Sequence, residues 1–380
     1  MTMIIHHIPA LTGDCFLIEP DNGNCILIDC GFQSTYHNEL KPLLVRLRNK
    51  GCRIVLMIIT HIDDDHIGGA IPLISENGDA TNPQVIPIDN IWFNGLFDIC
   101  MKSNKIRSHI LDELPDEDSE KIHRLKNRLS RMVSAGDGYI SATRAETFEK
   151  LCRSYHYNIR SVSSGVNEQL GGYSIRVLSP GEKELHKFEN WIDSNLIDTL
   201  GRNYRLGKRN FIDFIMTMIM ACGKDNDTEI RKEYISLDTE GPEDWLNTSR
   251  LAEMNAVNRA SIVVDIRYNG LKLLFTGDSE SADWIERAAT DYDLVKISHH
   301  GTTRPNLSLL QHIHMSRALI STNGLRNDHP ENEFLARLIT SGVKDIYFNY
   351  DIRQKDELIL WQKDYSYRAH FCEREVRLKE

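Results

Sequence analysis

Between Thr60 and Gly69 the chain reads T-H61-I-D63-D-D65-H66-I-G-G, two histidines and three aspartates directly behind the apolar, β-branched run Ile54 to Thr60. Imidazole nitrogens and carboxylate oxygens offered together from one short loop are the donor set of a divalent metal site. Three neighbouring acids in a dry pocket would repel strongly with no cation among them. A solvated acidic turn is the plain alternative, but it gives no reason for the two flanking histidines or for the buried strand before them. The Gly68-Gly69 pair lets the backbone turn closely beneath an ion and start a helix.

Three further pieces have the same character. LKLLFTGD278 is an apolar strand ending in Gly-Asp, and a carboxylate at such an end can bridge two cations, one on each oxygen. VKIS-H299-H300-G-T302-T303 follows another strand and offers two histidines and two hydroxyls. The last is STNGLRND-H329-P. A lone histidine is more often a satisfied surface or core residue than a ligand, and His329 carries that reading more readily than the His299-His300 pair does.

In order, Gly13-Asp14, ILID29CG, TH61IDDDH66IGG, LFTGD278, KISHH300GTT and H329P resemble the metallo-β-lactamase superfamily. Within it they look most like the metallohydrolase domain of the ComEC competence proteins and their stand-alone relatives. The particular likenesses are H-x-D-x-D-H where the wider superfamily has H-x-H-x-D-H, a His-His-Gly after the Gly-Asp strand, and a closing His-Pro. The resemblance spans about 1–95, 165–180 and 255–350. It implies an α/β fold, an αββα sandwich of two mixed sheets faced by helices, with the site at one end of the sheets. It also implies two divalent ions, His61 and Asp63 holding one, Asp65 and His66 the other, Asp278 between them and His329 completing the second. The histidine usual before the penultimate strand is missing, and Asn258 stands near its place. With Asp63 also replacing a nitrogen ligand, the expected ion shifts toward manganese or magnesium, zinc remaining open.

A metal pair of this kind supports hydrolysis by an activated water. The resemblance then implies His300, or its neighbour His299, as general acid for the leaving group, with Asp65 at the reacting centre and Thr302 and Thr303 donating to a phosphoryl oxygen. It implies a phosphodiester of DNA or RNA as substrate. Arg124 and Arg128 recur with Lys121 and Arg131 at helical spacing beside an apolar stripe, and Arg205 sits in GRNYRLGKRN next to Tyr204, a mixture of phosphate donors and a stacking ring. A solvated face offset by LDELPDEDSE explains both patches equally simply. Two other functions fit the same residues: hydrolysis of a small molecule such as a cyclic nucleotide, lactone or thioester under a lid, and a regulatory subunit joined to a partner protein in a larger assembly, such as one for defence.

The elements that must position these residues are spread along an ordinary globular chain of 380 residues, 41% hydrophobic and 26% charged. Strand-like runs occupy both ends, and two stretches of different character, 100–160 and 182–256, read as insertions into one domain spanning 1–380. A net charge of −10 excludes a uniformly basic nucleic-acid sleeve. The most apolar helical candidate, Phe211 to Cys222, is interrupted by Asp213 and is shorter than the ~20 residues a bilayer needs. The opening MTMIIHHIPA has neither a basic leader nor a long apolar run, and the eight cysteines show no CxxC pair, which together predict a cytoplasmic chain with free thiols and no membrane partner.

Overall fold

The structure is a computed structural model, and it describes residues 2–95, 110–111, 147–200, 206–207, 241–246, 253–325 and 328–379. Among the described residues, fifteen strands build two large sheets. The first sheet contains β1 (Thr2–His7), β2 (Phe16–Pro20), β3 (Asn24–Ile28), β4 (Arg53–Ile59), β5 (Ile91–Phe93), β6 (Ile159–Arg160) and β15 (Glu375–Lys379), in the order β15-β1-β2-β3-β4-β5-β6. The second contains β7 (Asn167–Leu170), β8 (Tyr173–Ser179), β9 (Val263–Tyr268), β10 (Leu271–Phe275), β11 (Leu294–Lys296), β12 (Arg317–Ile320), β13 (Asp345–Phe348) and β14 (Arg368–His370), side by side in chain order. Each sheet is mixed: antiparallel from β15 to β3 and parallel from β3 to β6 in the first, antiparallel from β7 to β10 and parallel from β10 to β14 in the second. The β9-β10 hairpin turns on Asn269-Gly270, both at positive φ, the pairing a tight two-residue turn demands.

Strand periodicity explains the layers. In β4, Met57 and Ile59 face the helices α1 (Lys41–Asn49) and α3 (Ala70–Asn77), while Leu56 and Ile58 join Phe16, Ile26, Val264, Leu273 and Leu319 in the apolar seam between the sheets. On the far side, α5 (Thr303–His312), α6 (Asn332–Thr340) and α7 (Lys355–Trp361) pack Leu309, Phe334, Leu338 and Trp361 over the second sheet. Helix, sheet, sheet and helix follow in order, the αββα architecture expected from the sequence.

The stretch taken as a first insertion contributes the edge strand β6 and a helix at 147–154; the second holds the long helix α4 (Glu182–Leu200). Ile110–Leu111 pairs in parallel with Leu206–Gly207, so the two stretches meet each other. The basic-patch residues Arg124, Arg128 and Arg205 lie outside the described residues. Among those described, Cys15, Cys25, Cys30, Cys52 and Cys152 are buried free thiols and Cys372 is an exposed one, and no helix is long and apolar enough to cross a membrane.

Candidate metal centre

The C-terminal ends of parallel strands are where loops of an α/β fold gather, and here β4, β10, β11 and β12 all deliver polar loops to one place. Behind β4, Thr60 donates from its amide to Asp29 Oδ1 at 2.8 Å and from its hydroxyl to Asp29 Oδ2 at 2.7 Å. Asp63 caps the short helix α2 (Asp64–Ile67), its carbonyl accepting the amides of His66 and Ile67. The amide of Asp14 donates to Asp65 O at 3.1 Å, and a Cβ at Gly13 would sit 1.9 Å from that oxygen, so only glycine allows the two loops to touch.

The loop after β11 is strained. His299, His300 and Gly301 all have positive φ, at 48°, 55° and 90°. Such conformations cost about 1–3 kcal/mol for a non-glycine residue and persist only where the surroundings fix them. Asn306 fixes them here: its amide group accepts from Ser298 N at 3.0 Å and donates to Ser298 O at 2.9 Å and Thr302 O at 2.7 Å. The result aims His300 inward.

Four donors from three loops converge. Asp278 Oδ2 lies 3.4 Å from His66 Nε2 and 3.3 Å from His300 Nε2, and Asp65 approaches the same two nitrogens at 3.9 Å each. His61 adds to the group, its ring 4.1 Å from that of His66, and Asp63, partly exposed, lies 3.4 Å from His61 Nε2. Two overlapping triads, His61-His66-Asp278 and Asp65-His66-His300, have ligand atoms within 4.8 Å of one another. His299 and His329 stand to one side, their rings 5.4 Å apart, and Asn258 Nδ2 is 3.5 Å from His299 Nε2. Thr302 Oγ1 is 3.2 Å from His299 Nδ1, and Thr303 donates its amide to Glu331 at 2.8 Å.

His300, the expected general acid, is therefore placed among the carboxylates, and Asp278 presents a single oxygen to the cluster. Its other oxygen, Oδ1, accepts from Lys296 Nζ at 3.2 Å. Lys296, fully buried, also donates to Gly277 O at 2.8 Å and pairs with Asp14. The sequence reading missed Lys296, the ligand-orienting role of Asp29, which accepts from His66 Nδ1 at 2.8 Å, and buried His7, neither of whose ring nitrogens has a hydrogen-bond partner. A lysine inside the apolar run LVKI was the available signal for the first.

The electrostatics follow from burial among opposite charges. Burial alone would lower the pKa of His66, but Asp278 and Asp29 outweigh it and hold the imidazole well above its usual value. His300 is raised in the same way against its burial, chiefly by Asp278. Burial would raise Asp278, yet His300, Lys296 and His66 hold it well below the carboxylate range. At His299 Asp278 offsets burial only in part, and the ring is pushed down to about 4; His329 is lowered chiefly by burial too. A cation bound here would compete with protons for the same imidazole nitrogens.

The donor set fits a divalent ion. His61 Nε2 and His66 Nε2 are buried with no hydrogen-bond partner, and each turns toward carboxylates. Buried polar atoms in a native fold are almost always satisfied, so unpartnered ligand atoms facing one another point to something held between them.

Residues 8–81 match the family model of the Metallo-beta-lactamase superfamily, a stretch that includes Asp14, Asp29 and the His61–His66 loop. No curated protein matches the chain. Among solved structures, the metallo-beta-lactamase fold protein YhfI from Bacillus subtilis is similar over 100% of both chains, at 9% identity and a TM-score of 0.40. Zn(2+)-bound PqqB from Methylobacterium extorquens is similar over 100% of both chains at 9% identity and a TM-score of 0.43. The diiron β-hydroxylase CmlA from Streptomyces venezuelae is similar over 100% of this chain and 54% of its own, at 11% identity and a TM-score of 0.40. The chain thus carries a metallo-β-lactamase superfamily segment at residues 8–81, set in the two facing mixed sheets and outer helices of that fold.

Proposed function

We propose that the protein is a ComEC-like metal-dependent hydrolase that cleaves a phosphodiester bond of DNA or RNA, working in the cytoplasm. The observation that carries the hydrolase reading is the convergence of Asp65, His66, Asp278 and His300, with His61 and Asp63 beside them, around ligand atoms that have no hydrogen-bond partner. These six residues would hold two divalent ions, manganese or zinc. Bound there, divalent ions supply Lewis acidity toward the attacked oxygen and activate water as the nucleophile at neutral pH.

The chain's own groups do the rest. Asp29 holds the proton on His66 Nδ1, and Ser321 O holds the proton on His300 Nδ1 at 2.8 Å, so both rings turn Nε2 into the centre. His299, with its pKa near 4, is a neutral imidazole at pH 7 and meets substrate as a hydrogen-bond partner, with Thr302 orienting it. The order of motifs along the sequence supports the phosphodiester as substrate.

The test is incubation of the protein, loaded with manganese or zinc, with single- and double-stranded DNA and with RNA. Metal-dependent cleavage that disappears in Asp65→Ala and Asp278→Ala, both still folded by circular dichroism, is expected. Absence of cleavage of any phosphodiester by protein that demonstrably holds metal contradicts the substrate assignment and leaves small-molecule hydrolysis in its place.

A further inference from the structure

Three groups surround the space in front of Asp278 Oδ2, and each is gripped by its far atom. His66 is held at Nδ1 by Asp29, His300 at Nδ1 by Ser321 O, and Asp278 at Oδ1 by Lys296. The first two arrangements are the familiar partners that orient an imidazole ligand. The third is unusual, because a buried ammonium occupies a carboxylate oxygen that would otherwise be free to bind an ion.

Lys296 is not there as an acid or base. An ammonium has three protons to donate, and the structure provides three acceptors: Gly277 O at 2.8 Å, Asp278 Oδ1 at 3.2 Å and the carboxylate of Asp14. All are buried, and Lys296 itself is 1% exposed. Asp14 is fixed in turn, its amide bonded to Asp65 O and its carbonyl accepting from Gly31 N at 2.8 Å. Lys296 therefore ties the strand end that bears Asp278, in the second sheet, to the loop that abuts Asp65, in the first.

We infer that Lys296 is a positioning residue that makes Asp278 a one-oxygen ligand, locking its carboxylate so that only Oδ2 is offered to the metal centre. The inference rests on the metal-dependent reading above. It has an unusual sign. A fixed positive charge beside a cation site opposes cation binding by Coulomb's law, so a lysine acting through charge alone would weaken metal affinity, and its loss would strengthen it. A lysine that acts by holding a ligand in place does the opposite.

The experiment is calorimetric titration of manganese, and separately zinc, into the metal-free protein and into Lys296→Met, with the melting temperature of each metal-free protein measured alongside. Lys296→Met is expected to bind metal about 10- to 100-fold more weakly, the usual effect of removing the partner that orients a ligand. A folded Lys296→Met that binds metal equally or more tightly overturns the inference, and so does a variant whose melting temperature falls with affinity unchanged, which marks a purely structural lysine. Removing only the lysine strands Asp14 as a buried charge. If that prevents folding, Lys296→Met with Asp14→Asn removes the pair together, and the same fall in affinity is expected of it, unchanged or tighter binding again counting against the inference. Failure of the parent reading is separate and visible first: the unaltered protein would then bind neither metal.

Discussion

Two groups of side chains meet at the open end of the sheets, and they are held differently. Around Asp278 Oδ2, the imidazoles of His66 and His300 are each fixed from behind by an acceptor at 2.8 Å, and Asp278 by Lys296. A few ångströms away, Asn258 is buried, His299 and His329 are half-buried, and the corner is loosely tied: Asn258 Oδ1 and His329 Nδ1 have no hydrogen-bond partner, and the three histidine rings of His299, His300 and His329 stand 5.4 to 6.3 Å apart. Charge divides the two regions as well: carboxylates raise His66 and His300 against their burial, whereas at His299 and His329 burial prevails, helped by neighbouring imidazoles and offset only in part by Asp278. The contrast teaches that the carboxylate-facing part of the centre is assembled without an ion, while the corner beside it has fewer side-chain ties.

If that division is right, damage to the fixed group should cost most. Asp278→Ala removes the carboxylate that faces both imidazoles, and is expected to lower kcat/KM by about 10³-fold, several kcal/mol of transition-state stabilisation, without unfolding the protein. Asp29→Asn leaves every ligand in place but weakens the grip on His66; metal affinity measured by calorimetry should fall about 10- to 100-fold.

Acid separates the two groups by another route. His66 and His300 hold their protons to higher pH than an ordinary imidazole, so metal affinity should fall as pH drops through their raised values, by about tenfold per pH unit for each proton displaced. The outer pair, lowered by burial, stays neutral until well below that range and adds nothing to the slope. The smallest effect belongs to His329→Ala, which should change metal affinity by less than about tenfold. A loss there larger than that of Asp29→Asn would reverse the comparison.

Contiguity decided how much of this was legible in the sequence. The His61-to-His66 loop announces itself because five polar residues crowd behind a buried strand, and the structure gathers four of them, His61, Asp63, Asp65 and His66. Asp278 was readable as the Gly-Asp ending of an apolar strand. The two sheets followed from short β-branched runs at both ends of the chain, although strand limits shifted, as for the run Ile54 to Thr60, where the strand is Arg53–Ile59. Lys296 left only a faint mark, one lysine inside the apolar run LVKI, and its burial between Asp14 and Asp278, which lie on loops of different sheets, is what gives it meaning. Nor could spacing tell that the left-handed turn at His299-His300 sends the second ring, and not the first, into the cluster.

The central claim is that a divalent ion belongs among these side chains. Anomalous diffraction from crystals soaked in manganese tests it most directly. Anomalous density is predicted within ligand distance of Asp278 Oδ2, His66 Nε2 and His300 Nε2, with Lys296 still on Asp278 Oδ1. A well-ordered centre with these residues in place and no anomalous peak among them would contradict it.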